Sequence, residues 1–182
     1  MLRVDFSYQK EFFSEIDLQT TLKDRKRFLA NKRCNAIFND RIGYIVKLEY
    51  AVEKGFHWHV ILFFDGSERR KASHIHSAQQ IGEYWVERST KGRGDYWNCN
   101  ANIDDFKQKG ICGIGPIHAN DHALRINLCY RVVGYLCKTD QYFKPKRELP
   151  LKRIRKGKPP EIRAIKLGRP VDLLPLPPTL CF

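Results

Sequence analysis

The sequence is short of several things. Its six cysteines (Cys34, Cys99, Cys112, Cys129, Cys137 and Cys181) form no CxxC pair, which removes the zinc-ribbon class and fits reduced thiols in a cytoplasmic protein. No run of about 18 apolar residues occurs, so no transmembrane helix is expected. The opening MLRVDFSYQK lacks the apolar stretch of a secretory signal. There is no GxxxxGK[ST], hence no P-loop motor, and no internal repeat. Acids are also scarce: 20 Asp+Glu stand against 33 Lys+Arg, a net charge of +13. A surplus of that size points to a polyanionic partner, and nucleic acid is the more frequent choice over an anionic membrane surface.

What is present suits one compact domain. The chain has 182 residues, 42% of them apolar, enough for a core but not for two full domains. LRVDFSY (2–8) alternates and predicts a strand. Residues 17–38 carry apolar positions at helical spacing among charges and predict an amphipathic helix. YIVKLEYA (44–51), a short loop and FHWHVILFF (56–64) predict a β-hairpin. A capped helix is expected over 72–90, a strand at YWNCN, a glycine-punctuated strand over 109–117, and a helix over 121–143 stopped by Lys144-Pro145. From Lys144 to Pro170, 11 Lys+Arg and two Glu contribute +9 of the net charge. With four prolines among residues 144–160, that stretch predicts an extended basic arm or a solubilising tail rather than a packed element. The division is therefore a domain over 1–143 and a tail over 144–182, with an α+β fold built on an antiparallel sheet.

The segment FHWHVILFF places two imidazoles in a stretch otherwise suited to burial. On a strand, His57 and His59 share a face roughly 6.6 Å apart, while Trp58, Val60 and Leu62 point into a core. The same face continues as Ile61 and Phe63, so the strand is expected to be central and covered on both sides. If the hairpin turns through the three residues Val52-Glu53-Lys54, Glu49 stands across from His57 or His59, and a His–His–carboxylate set results; a one-residue slip would turn it away. Taken alone, such a pair is more often hydrogen-bonded or half-exposed than metal-bound, and the carboxylate brings the two readings level. His74 and His76 read as surface or helix-capping residues, and His118 and His122 as reserve ligands. On the last helix Tyr135 and Lys138 are three apart and share a face. A cation beside a tyrosine of ordinary pKa, about 10, would favour its phenolate, although, taken alone, Tyr135 packed in a core with a snorkelling lysine is the better account of the spacing.

Together, LRVDFSY, LEYAVEKGFHWHVILFFDGS (48–67), IGEYW (81–85), TKGRG (90–94), GIGPI (113–117), YLCKTDQ (135–141) and KLGRP (166–170) resemble, in that order, the HUH endonucleases. More narrowly, they resemble the inovirus-type replication proteins, the filamentous-phage gene-2-like group with YagK/YfjJ C-terminal domains. The resemblance implies a ferredoxin-like central antiparallel sheet with flanking helices. It implies a Mg²⁺ or Mn²⁺ ion held by His57, His59 and Glu49, and a nucleophilic Tyr135 assisted by Lys138. The chain would then nick single-stranded origin DNA, leave a 5′-phosphotyrosine and a free 3′-OH, and initiate rolling-circle replication with a separate helicase and polymerase. Tyr130 stands five residues before Tyr135, about 140° away in α-helical geometry, and is kept as a second candidate nucleophile. Lys91, Arg93, Lys109, Lys152, Arg153, Arg155 and Lys156 are candidate contacts to the DNA backbone; Trp97, Tyr96 and Trp85 are candidate platforms for unpaired bases, although Trp85, at helical spacing from Ile81, suits a buried core position better. Two other readings stay open: a zinc-dependent hydrolase using the same three ligands, and a non-catalytic DNA-binding regulator of phage or prophage origin.

Overall fold

The computed structural model describes residues 1–30, 35–67, 73–137 and 154–158. The fold is α+β: among the described residues five strands form an open antiparallel sheet, with helices packed on it, an arrangement consistent with a ferredoxin-like fold. The strands are β1 (Leu2–Tyr8), β2 (Arg41–Ala51), β3 (Gly55–Phe64), β4 (Gly94–Asn98) and β5 (Ile154–Lys156). They lie in the order β4-β1-β3-β2-β5, which puts the histidine strand β3 at the centre.

Side-chain alternation sorts the sheet into two faces. Along β1, Leu2, Val4, Phe6 and Tyr8 are buried on one face, while Arg3, Asp5 and Ser7 are half-buried on the other. The larger core joins the first set to Val46, Leu48, Trp58, Val60 and Leu62, roofed by α1 (Leu18–Ala30) and α2 (His74–Tyr84). Its centre is aromatic: Phe6 stacks on Trp85 with centroids 4.7 Å apart, and Phe28 meets Phe6 edge-on at 5.0 Å. Trp85 is fully buried and donates its indole N–H to the Ser7 carbonyl at 3.1 Å. It is a core residue, as its helical spacing from Ile81 suggests.

The second face holds a smaller core of Ile61, Cys99, Ile103, Cys112, Ile114, Val132 and Leu136. Here α3 (Ile103–Gln108) and the helix that carries the tyrosines come down on the sheet. Because both faces are covered, β3 has an almost unbroken buried run from Trp58 to Leu62, as expected for a central strand. The hairpin closes through Val52-Glu53-Lys54, with Ala51 opposite Gly55. Gly55 takes a φ of 62°, the left-handed conformation that a three-residue hairpin loop requires.

Several expectations are corrected. Residues 109–117 form no strand. Gly110 and Gly115 take φ of 64° and 87°, and Gly113 lies so close to the helix backbone that an added Cβ would stand 2.5 Å from the Leu128 nitrogen. The segment is a coil moulded to that helix. The helix expected over 17–38 ends at Ala30 among the described residues, and a separate 3-10 turn covers Ala36–Phe38. The helix over 72–90 changes from α to π geometry at Trp85. The arm is not wholly unpacked either: Ile154, Arg155 and Lys156 pair with Lys47, Val46 and Ile45 as the edge strand β5. The expected boundary at 143/144 lies outside the described residues.

Candidate metal centre

Three neighbouring strands build the centre on the second face. Glu49 on β2 stands directly opposite His57, and Lys47 opposite His59. On the other side, Asp5 of β1 stands opposite His59. The hairpin register that would bring Glu49 to the histidines is therefore the one adopted.

The two imidazoles are held in the same way. His57 turns Nδ1 to the Gly55 carbonyl at 3.2 Å, and His59 turns Nδ1 to the Asp5 carboxylate at 2.9 Å. Both Nε2 atoms converge on one oxygen, Glu49 Oε2, at 3.3 Å for His57 and 3.1 Å for His59. The second Glu49 oxygen meets the buried Lys47 ammonium at 2.6 Å. An oxygen partner on the rear nitrogen orients an imidazole and raises its basicity as a ligand. The three ligand atoms lie within 4.8 Å of one another, and among the described residues no other group of three or more His, Cys, Asp or Glu comes together in this way. Two imidazoles and a carboxylate fit a divalent cation such as Mn²⁺, Mg²⁺ or Zn²⁺, and do not choose among them.

Electrostatics bind the group together in the metal-free state. Hydrogen bonding from His57, then from His59, holds the Glu49 carboxyl far below the usual carboxylate range, against the opposing effect of burial. Burial pulls the His59 pKa down, but Asp5 and Glu49 outweigh it and raise the value to about 9. Asp5 is shifted downward: burial would raise its pKa, and His59 and Arg3 overcome that. At neutral pH His59 is thus an imidazolium between two carboxylates, and must release a proton to offer Nε2 to a metal.

A tyrosine stands beside this centre. Tyr135, in the short α5 (Gly134–Cys137), is 46% exposed. Its ring centroid is 6.2 Å from that of His59, and the Arg3 guanidinium carbon lies 5.8 Å from it. The preceding helix α4 (His122–Asn127) passes into α5 through a π-helical stretch, Leu128–Val133. Bonding from i to i+5 widens the turn, so Tyr130, at 62% exposure, diverges less from Tyr135 than ideal α geometry gives. Lys138 lies outside the described residues.

The remaining candidates disperse. Lys91 is exposed in a left-handed turn, whereas Arg93 binds Asp24 at 3.4 Å and the Thr90 carbonyl at 3.1 Å. Lys109 is exposed after α3. Arg155 and Lys156 are exposed on β5, and Lys152 and Arg153 lie outside the described residues. His118 and His122 are exposed and do not join the three-ligand group; Ser73 caps α2 by accepting from the His76 N–H. Among the aromatics, Tyr96 is opposite Phe6 and so faces the aromatic core, while Trp97, 61% exposed, is opposite Asp5 and shares the face of the metal centre. Sequence reasoning missed Asp5, Lys47 and Arg3. The available signal was in LRVDFSY, where alternation places two charges on the inner face of a strand that is not an edge.

No protein-family model, curated protein or solved structure matches the chain. No helix among the described residues is long and apolar enough to cross a membrane.

Proposed function

We propose that the chain is an HUH-type endonuclease: a metal-dependent enzyme that nicks single-stranded DNA with Tyr135 and so initiates rolling-circle replication. The observation that supports this reading best is the convergence of both histidine Nε2 atoms on Glu49 beside an accessible tyrosine. His57, His59 and Glu49 would hold the cation, which when bound neutralises charge on the non-bridging oxygens of the scissile phosphate. Asp5 and the Gly55 carbonyl keep the two rings aimed. The Tyr135 oxygen gives up its proton to solvent and forms a bond to phosphorus. The bond from phosphorus to the 3′ oxygen breaks, and that oxygen takes a proton to become a free 3′-OH. One phosphodiester replaces another, so rejoining needs no nucleotide cofactor. Lys138, three residues after Tyr135 in the sequence, would favour the phenolate, and Trp97 offers a surface on which an unpaired base can stack.

The test is a denaturing gel of the protein with labelled single-stranded DNA, including candidate origin hairpins, and Mn²⁺. An SDS-stable adduct is expected with the native chain and with Tyr130→Phe. It should be absent with Tyr135→Phe and with the His57→Ala, His59→Ala double variant. Cutting without an adduct would replace this reading with the hydrolase, and binding without cutting with the DNA-binding regulator.

A further inference from the structure

On the opposite face of the sheet, α1, β2 and the edge strand β5 line a groove of about 630 Å³ that the candidate metal centre does not use. Lys23, Arg25 and Lys26 line it from α1, Arg155 from β5, and Tyr44 from β2. Arg155 reaches it because it pairs with Val46, whose side chain belongs to the aromatic-core face. Among the described residues no acid lines the groove.

The donors here have too few acceptors. Arg25 Nε and Nη1 are buried with no hydrogen-bond partner, and so is the indole nitrogen of Trp58, over whose ring the Arg25 guanidinium sits at 5.2 Å. Stacking on Trp58 fixes the orientation of the guanidinium but supplies no acceptor. Burial lowers the Arg25 pKa, Arg155 adds to the effect, and only the Tyr44 phenol opposes it among the described residues. An arrangement of this kind is costly unless an acceptor with negative charge is brought to it.

We propose that this groove binds the phosphodiester backbone of nucleic acid, as a second site across the sheet from the metal centre. Four cations, one of them a stacked guanidinium fork, suit phosphate oxygens. The concave, charged lining and the +13 net charge suit a polyanion chain better than a flat lipid surface. The site also gives the basic arm a role, since pairing β5 to β2 delivers Arg155 to the groove. The inference is independent of the nicking chemistry: it requires neither a metal nor Tyr135.

The test is fluorescence anisotropy of the full chain with a labelled 20-nucleotide single strand and with the matching duplex, in EDTA, across a salt series. Lys23, Lys26 and Arg155 are all exposed, so the triple variant Lys23→Gln, Lys26→Gln, Arg155→Gln leaves the core intact. Its charge-matched control is Lys10→Gln, Lys54→Gln, Arg88→Gln, at exposed positions elsewhere. For at least one probe, the groove variant should bind about tenfold more weakly than the control at 0.1 M salt, with a log–log salt slope shallower by about 2. If the groove variant matches the control or the native chain on both probes, the proposal is overturned. Because no cleavage is read, a chain that fails to form the tyrosine adduct can still pass, and one that forms it can still fail.

Discussion

The two faces of the sheet are made by the same strands and solve opposite problems. On one, Phe6, Phe28, Trp58 and Trp85 fill the space beneath α1 and α2 with rings in contact. On the other, the residues in register with that core are Asp5, Lys47, Glu49, His57 and His59, charged or ionisable and half to fully buried. A half-buried ring of ionisable groups contributes little net stability, because desolvation offsets most of the pairing. The larger aromatic core supplies most of the stability, the smaller core on the second face adds to it, and the polar part of that face is left free to carry chemistry. That division can be broken from either side.

The largest separation should come from the ligands. Replacing His57 and His59 together with alanine is expected to abolish Mn²⁺ binding in isothermal titration calorimetry while the chain still folds cooperatively. If that variant is unfolded, the polar face is structural and the division fails. Next comes Trp85→Ala, which removes the fully buried ring stacked on Phe6. It should cost about 3–5 kcal/mol in denaturant unfolding and leave Mn²⁺ affinity unchanged at temperatures where the variant is folded. A large change in affinity would mean that the two faces are mechanically coupled.

The same division explains how much the sequence discloses. The alternation of FHWHVILFF and the three-residue loop after Ala51 led to the register that sets Glu49 against His57, because the two-residue period of a strand leaves few choices once a face is known. The central place of β3 followed from Ile61 and Phe63 on the histidine face. Asp5 was hidden because its partner is 54 residues away, His59 on a strand that only the tertiary fold brings alongside. The coil over 109–117 was hidden for a related reason: Gly113 is set by backbone contact with Leu128, and a run of Gly and Ile reads locally as a strand. The π-helical stretch before Tyr135 leaves no mark in an amphipathic pattern drawn at 3.6 residues per turn.

A smaller effect tests whether the polar face is tuned beyond its three ligands. Asp5 touches His59 at 2.9 Å on the nitrogen away from Glu49. Asp5→Asn keeps the shape and removes the charge, and should weaken Mn²⁺ binding about 10- to 100-fold with little change in unfolding midpoint. An unchanged affinity would reduce Asp5 to a neighbour of the centre.

The smallest effect is a pH dependence confined to the metal-free protein. The His59 pKa is raised from its ordinary 6.5 to about 9, so the folded state holds this proton more tightly than the unfolded chain. The associated stabilisation is fully present below about pH 6.5 and is lost as pH rises through about 9. Between pH 7 and 8 the loss is on the order of 1 kcal/mol, or about 2–4 °C in Tm for a chain of this size. Other groups titrate as well, so the informative quantity is the Tm difference between the native chain and His59→Gln, both in EDTA. That difference should shrink across this interval, while Mn²⁺ affinity of the native chain climbs over the same range as the competing proton leaves. A flat difference would mean that Asp5 and Glu49 do not hold His59 charged, and the metal would then compete with no proton at that nitrogen.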